Sequence, residues 1–125
     1  MRRLRVQGWR WRLLILSIGG GLLAGLSLAD WDFALILKNA ESRYGNLGPA
    51  RERILDWEAL IKSSAALSEA DKLNEVNRFF NRKFRFVDDI KLWRENDYWA
   101  TPVEALVKGA GDCEDYSLAK YFTLR

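Results

Sequence analysis

The sequence has no histidine and only one cysteine in 125 residues. A single thiol cannot form a disulfide within the chain, so a disulfide framework is excluded. The lack of histidine removes the side chain that most often serves a catalytic nucleophile as its general base. The one thiol, Cys113, is therefore either an inert buried residue or a reactive one, and the neighbouring residues in the sequence indicate which.

Acidic residues are absent from the first 29 positions, which contain five arginines. An uncharged stretch covers residues 13–29, and Ser27-Leu28-Ala29 places small residues just before Asp30. This arrangement is typical of a signal peptide over residues 1–29, with an uncleaved membrane anchor as the alternative. The sequence thus predicts an exported protein.

The net charge of +3 arises in that leader. Residues 30–125 carry 15 Lys and Arg against 17 Asp and Glu, a net charge of −2. A basic surface for nucleic acid is therefore not indicated, and we expect no DNA or RNA partner. The length allows one small domain over residues 30–125.

Residues 30–125 have the pattern of successive helices with little strand. Residues 31–43 predict a first helix, Pro49 opens a second, and Ser68 is placed to cap a third. Apolar residues then recur at helical spacing and predict a core stripe; they are Leu73, Val76, Phe79 and Phe80. Residues 84–87 alternate and predict a short strand or an extended linker.

The clearest local signals precede the cysteine. Thr101-Pro102-Val103-Glu104 offers a capping hydroxyl, a proline at the first helical position and a glutamate at the third. The short helix that follows should end at Gly109. Asp112 can then cap another helix, with Cys113 at its first position.

A thiol at a helix N-terminus lies among free backbone N–H groups and the positive end of the helix dipole, and both favour the thiolate. Three carboxylates surround it, those of Asp112, Glu114 and Asp115, and negative charge disfavours the thiolate. Acids in a first helical turn are ordinary, because they complement the dipole. The alternative is that some of them bind a hard cation such as calcium, which prefers oxygen ligands.

Several motifs occur together in a recognisable order. Asp97-Tyr98-Trp99-Ala100-Thr101-Pro102 is followed by Gly109-Ala110-Gly111-Asp112-Cys113-Glu114-Asp115-Tyr116, with residues 76–81 and Trp93 upstream. This pattern resembles the bacterial transglutaminase-like cysteine peptidases, of which the LapG-type periplasmic proteases are members. The resemblance runs from about residue 44 to the end of the sequence.

The resemblance implies an α+β papain/transglutaminase-like fold, of which this chain would cover mainly the helical part. It implies that Cys113 is the nucleophile of a calcium-dependent periplasmic endopeptidase. Asp112 and Glu114 become calcium ligands by the same comparison, and Asp115 a further one. The implied substrate is a large surface adhesin whose cleavage controls biofilm attachment, and the implied regulator is a membrane-bound signalling receptor.

The departure from the family pattern concerns the catalytic partners of the cysteine. In such peptidases a histidine and an aspartate follow the cysteine helix, whereas this sequence has no histidine. We therefore expect a chain truncated after the nucleophile helix, inactive alone and exposing apolar surface that a sheet would cover.

Two other functions remain open at this stage. One is a non-catalytic helical module that binds calcium and buries Cys113 as a small apolar residue. The other is acyl transfer of the transglutaminase type on the same scaffold, because a fold does not fix the reaction. The aromatic residues Trp93, Tyr98 and Trp99 are expected to pack in the core and loops, with a substrate platform as the alternative.

Overall fold

The computed structural model describes residues 31–125, so the predicted signal peptide over residues 1–29 lies outside the described residues. Within this range the chain forms six helices and two short parallel strands. In chain order these are α1 (Phe33–Tyr44), α2 (Pro49–Ser64), α3 (Glu69–Lys83), β1 (Arg85–Phe86), α4 (Asp89–Leu92), α5 (Pro102–Lys108), β2 (Ala110–Gly111) and α6 (Cys113–Leu124). The prediction of a mostly helical chain with little strand is confirmed.

The helices begin where side chains can satisfy their first backbone N–H groups, which have no partner inside a helix. Asp32 accepts from the N–H of Leu35, and Ser68 accepts from the N–H of Asp71. The helix α2 instead begins with Pro49, whose fixed φ suits a first helical position. No helix within residues 31–125 has the length and apolar character needed to cross a membrane.

The centre of the core is Trp57 on α2, which is fully buried. The rings of Trp31 and Phe33 meet its indole edge to face, with centroid separations of 5.2 and 5.3 Å. Its Nε1–H donates to Thr123 Oγ1 at 2.8 Å. This one side chain therefore connects α2 with both the start of α1 and the end of α6.

The helices α3 and α6 pack together through a series of aromatic rings. Phe80, Phe84 and Tyr116 meet edge to face with centroids 5.2 and 5.3 Å apart. The hydroxyl of Tyr116 donates to the backbone carbonyl of Phe84 at 2.9 Å. These contacts of Tyr116, shortly after the cysteine, determine which side of α6 faces α3.

The predicted core stripe on α3 is wrong at one end. Val76 and Phe80 are buried and Phe79 packs against the core, but Leu73 is 56% exposed. Leu73 lies in the second turn of α3, beside Asn74 and Leu124 at the rim of the α3–α6 contact. The row of apolar residues on α3 therefore extends further along the helix than the neighbouring residues that cover it.

The strand β2 leads to the cysteine, and β1 pairs with it. Arg85 pairs with Ala110 and Phe86 with Gly111 in parallel register. The N–H groups of Arg85 and Val87 donate to the carbonyls of Gly109 and Gly111 at 3.0 and 2.9 Å. The strand predicted near residues 84–87 is present, and it has its partner directly before α6.

We expect Trp57→Ala to lower the free energy of unfolding by about 3–5 kcal/mol, since it leaves a large cavity among three helices. Leu55→Ala on the same helix is the control, because Leu55 is exposed. Its effect should stay within about 1 kcal/mol. Urea denaturation followed by circular dichroism measures both, and equal losses would contradict a core centred on Trp57.

Candidate active site and acidic cluster

Cys113 is the first residue of α6, and its free thiol is exposed. Asp112 caps the helix, with its Oδ1 accepting the N–H of Asp115. Asp115 returns the bond, since its Oδ2 accepts the N–H of Asp112 at 3.2 Å. The predicted cap at Asp112 and the predicted helix start at Cys113 are both confirmed, and the thiol lies at the end of α6 where backbone N–H groups are free.

An open apolar groove surrounds the thiol. Trp99 is 61% exposed beside it, and Tyr121 is exposed on the next turns of α6. The Nε1–H of Trp99 donates to Asp97 Oδ1 at 2.9 Å, which orients the indole. The residues lining the groove are Trp99, Cys113, Glu114, Ser117, Leu118 and Tyr121.

The three aromatic residues expected to pack in the core and loops therefore separate into two groups. Trp93 and Tyr98 are partly buried and stack with ring centroids 4.4 Å apart, as core packing requires. Trp99 instead faces the groove of the cysteine. The two neighbours Tyr98 and Trp99 lie in a segment that is neither helix nor strand, and only Tyr98 packs against the core.

Behind the cysteine lies a cluster of three carboxylates. One oxygen each of Asp89, Asp112 and Asp115 lies within 4.8 Å of the other two. Asp115 is fully buried and Asp89 is 5% exposed. Three carboxylates held so closely repel one another unless protons or a cation neutralise them.

Asp115 is the most constrained member of this cluster. Its Oδ1 accepts the backbone N–H of Ala100 at 2.8 Å, in addition to the bond from Asp112 to Oδ2. Burial raises the pKa of Asp115 above its ordinary value, although both backbone hydrogen bonds oppose that shift. A Cβ on Gly111 would stand 2.6 Å from the Cβ of Asp115, so only glycine fits at that position.

Asp89 is held by one of its two oxygens. Its Oδ2 accepts the backbone N–H of Tyr98 at 2.7 Å. Its Oδ1 is buried and has no hydrogen-bond partner among the described residues. A buried carboxylate oxygen without a donor is costly, and beside two further carboxylates it has the character of a ligand for a hard cation. The residues present thus fit a calcium ion.

Of the predicted metal ligands, the structure brings Asp112 and Asp115 together and adds Asp89. Glu114 is exposed beside the thiol, outside the three-residue cluster found within residues 31–125. Its role as a ligand stays a prediction. Sequence reasoning missed Asp89, which lies 23 positions before Asp112, because acids in a first helical turn are common and the turn of α4 carries no other signal.

A further buried acid, Glu104, supports the segment that carries Trp99. Its Oε1 accepts the hydroxyl of Tyr98 at 2.8 Å, and its Oε2 accepts the N–H of Thr101 at 2.9 Å. Arg43 lies 3.3 Å from Oε1. Burial by itself raises the pKa of Glu104, but these hydrogen bonds and Arg43 outweigh it and hold that pKa below its ordinary value.

The arrangement can supply a nucleophile and hydrogen-bond donors for an oxyanion, but no histidine base. Tyr116 and Lys120 are two side chains on α6 that can transfer a proton, and both are engaged elsewhere. Tyr116 donates to Phe84, and the ammonium of Lys120 donates to Asn77 and Asn81 at 2.6 and 2.9 Å. Neither is free to serve the thiol.

Comparison with protein-family models matches residues 56–125 to the bacterial transglutaminase-like cysteine proteinase (BTLCP) family. The matched residues include α3 to α6, the groove and all three carboxylates of the cluster. A search of curated proteins finds no match.

We expect Glu104→Gln to destabilise the protein at pH 7 by about 1–3 kcal/mol, since the hydrogen bonds to a charged acceptor are lost. Because the pKa of Glu104 is lowered in the folded state, its contribution is present above the ordinary value of 4.5 and disappears as the pH falls through the folded value. The stability gap between variant and wild type should therefore close below pH 4.5. Urea unfolding at a series of pH values measures it, and a gap independent of pH would refute a charged Glu104.

Proposed function

Since the chain belongs to the bacterial transglutaminase-like cysteine proteinases, we propose that it provides the nucleophile of a calcium-dependent cysteine endopeptidase. The observation that carries this proposal is the exposed thiol of Cys113 at the start of α6, inside an open groove. A peptide in that groove would lie across the indole of Trp99, with its scissile carbonyl at the sulfur.

The chemistry follows from the position of the thiol. Its sulfur, after losing its proton to a base, attacks the peptide carbonyl, and the first N–H groups of α6 are placed to stabilise the oxyanion. The amine leaves with a proton from the same base, and water then hydrolyses the thioester. The 125 residues contain no histidine, so we propose that a histidine outside them acts as this base.

Calcium is proposed as the cation of the acidic cluster. Asp89, Asp112 and Asp115 would bind it, with other oxygen ligands completing the shell. Bound there, the ion would neutralise carboxylates close to the thiol and fix the turn before Cys113. The unpartnered Oδ1 of Asp89 supports this assignment over three acids that only complement helix dipoles.

The wider biological role is proposed from the motif resemblance. We place the protease in the periplasm, with a large surface adhesin as its substrate and biofilm attachment as the process it controls. A membrane-bound signalling receptor would regulate it by sequestration. The predicted export signal over residues 1–29 is consistent with that compartment.

A second candidate is a non-catalytic calcium-binding module. The acidic cluster favours it, together with the lack of histidine in the sequence. In such a module the groove would serve no chemistry, and Cys113 would react no faster than a free thiol. Acyl transfer to an amine, as in transglutaminases, uses the same thioester and differs only in what attacks it.

We expect calcium to bind the chain and Asp89→Asn to weaken that binding on the order of tenfold or more. Asparagine can still accept from the N–H of Tyr98, so the variant mainly removes the charge at Oδ1. Isothermal titration with calcium measures the affinity.

Glu52→Gln is the matched control, because Glu52 is an exposed carboxylate on α2 and lies outside the cluster. Its affinity for calcium should equal that of the wild type. Equal weakening by both variants would show that general negative charge attracts the ion. A third variant, Glu114→Gln, tests the predicted ligand, and a loss with it but none with Asp89→Asn would replace Asp89 by Glu114.

We expect p-nitrophenyl acetate to release a burst of about one p-nitrophenolate per chain as Cys113 is acetylated. The thiolate attacks the ester carbonyl, p-nitrophenolate leaves, and a thioester remains. Because the histidine is missing, turnover after the burst should be slow and should accelerate when imidazole is added as an external base.

Cys113→Ser should abolish the burst and the imidazole-dependent turnover above background. Ser117→Ala is the control, since it removes a groove hydroxyl that only donates to the backbone carbonyl of Cys113. A burst that survives in Cys113→Ser contradicts the assigned nucleophile. No burst in the wild type favours the non-catalytic module.

A further inference from the structure

Arg53, on α2, reaches across to the end of α5. Its Nε–H donates to the carbonyl of Leu106 at 2.6 Å, and a second guanidinium nitrogen donates to the carbonyl of Val107 at 2.9 Å. These carbonyls belong to the last turn of α5, where a helix has no internal donors left. A cation at this end also faces the negative end of the helix dipole.

The guanidinium is held by backbone and not by an acid. Within residues 31–125 no carboxylate lies within ion-pair distance of Arg53. Burial, together with the nearby charge of Arg85, lowers the pKa of Arg53. A partly buried cation without a counter-ion is costly, so the two carbonyls are what keep it in place.

Arg53 also lies directly against Gly109, the residue that ends α5. Gly109 has a φ of +62°, a left-handed conformation that favours glycine. A Cβ there would stand 2.9 Å from the guanidinium carbon of Arg53. The flat guanidinium therefore covers the turn, and it would have to move to admit a Cβ at position 109.

That turn runs without interruption into the site. From Gly109 the chain continues through β2 to Asp112 and Cys113. On its other side the carbonyl of Gly109 accepts the N–H of Arg85 at 3.0 Å. The segment before the nucleophile is thus fixed between the side chain of Arg53 and the backbone of β1.

We infer that Arg53 is a positioning residue for Cys113, acting through the end of α5 and the Gly109 turn. Arg53 lies before the family match over residues 56–125, so that match assigns it no role. The inference rests on the proposed role of Cys113 as nucleophile. Its test reads the reactivity of the thiol and needs neither peptide cleavage nor calcium.

The test is the rate at which iodoacetamide alkylates the full chain at pH 7 in the presence of EDTA. Cys113 is the only thiol, so a single site is observed. Arg53→Ala should lower the rate by about threefold or more, as the thiol loses its alignment with the helix terminus. Arg53→Lys, which keeps a cation and one carbonyl contact, should fall between. Methylguanidinium, which replaces the deleted group, should restore the rate of Arg53→Ala.

Arg51→Ala is the matched control, because Arg51 is exposed on the same helix and pairs with Glu41. Its rate should match the wild type and should not change when methylguanidinium is added.

A lower melting temperature of Arg53→Ala with an unchanged alkylation rate overturns the inference, since it leaves Arg53 a purely structural residue. If Arg53→Ala does not fold, Arg53→Lys decides: a rate equal to the wild type overturns the inference, and a lowered rate in a folded protein supports it. An absent esterase burst contradicts the proposed function and leaves this result intact.

Discussion

The buried carboxylate of Asp115 is the contact on which the geometry around the thiol depends. It accepts backbone N–H groups from Ala100 and from Asp112, and so ties the first turn of α6 to the loop before α5. Without these two donors a fully buried carboxylate would be strongly destabilising. The Asp115 carboxylate also approaches Gly111 so closely that no side chain fits there. The helix start, the β2 strand and the loop carrying Trp99 are therefore positioned by one residue.

The same arrangement concentrates negative charge close to the thiol. Three carboxylates lie together behind a thiol whose reactive form is itself an anion. Hydrogen bonds from the backbone satisfy both oxygens of Asp115 but only one of Asp89. A cation at the cluster would neutralise this charge and would give the unpartnered Asp89 oxygen a partner. Calcium and nucleophile would then depend on each other because they share Asp112 and its helix.

Local features could be predicted from the sequence wherever one residue determines them. Pro49 begins α2, Thr101 caps α5, Gly109 ends it in a left-handed conformation, and Asp112 caps α6. What could not be predicted depends on contacts between distant segments. Asp89 joins the cluster only because α4 folds against β2, and Ala110–Gly111 is a strand only because β1 lies alongside. Leu73 shows the reverse case, in which a correct helical period says nothing about how far a neighbouring helix extends.

The nucleophile with its oxyanion donors and the general base have different structural requirements. A nucleophile and its oxyanion donors need rigid backbone geometry, and here helix termini, two strands and buried side chains supply it. A general base needs only to reach the thiol with a free proton-accepting atom. Tyr116 and Lys120 fail this condition because packing between α3 and α6 uses their polar atoms. The side of Cys113 bordered by Trp99 and Tyr121 is open to solvent, so a base and a peptide would both have to approach from that side.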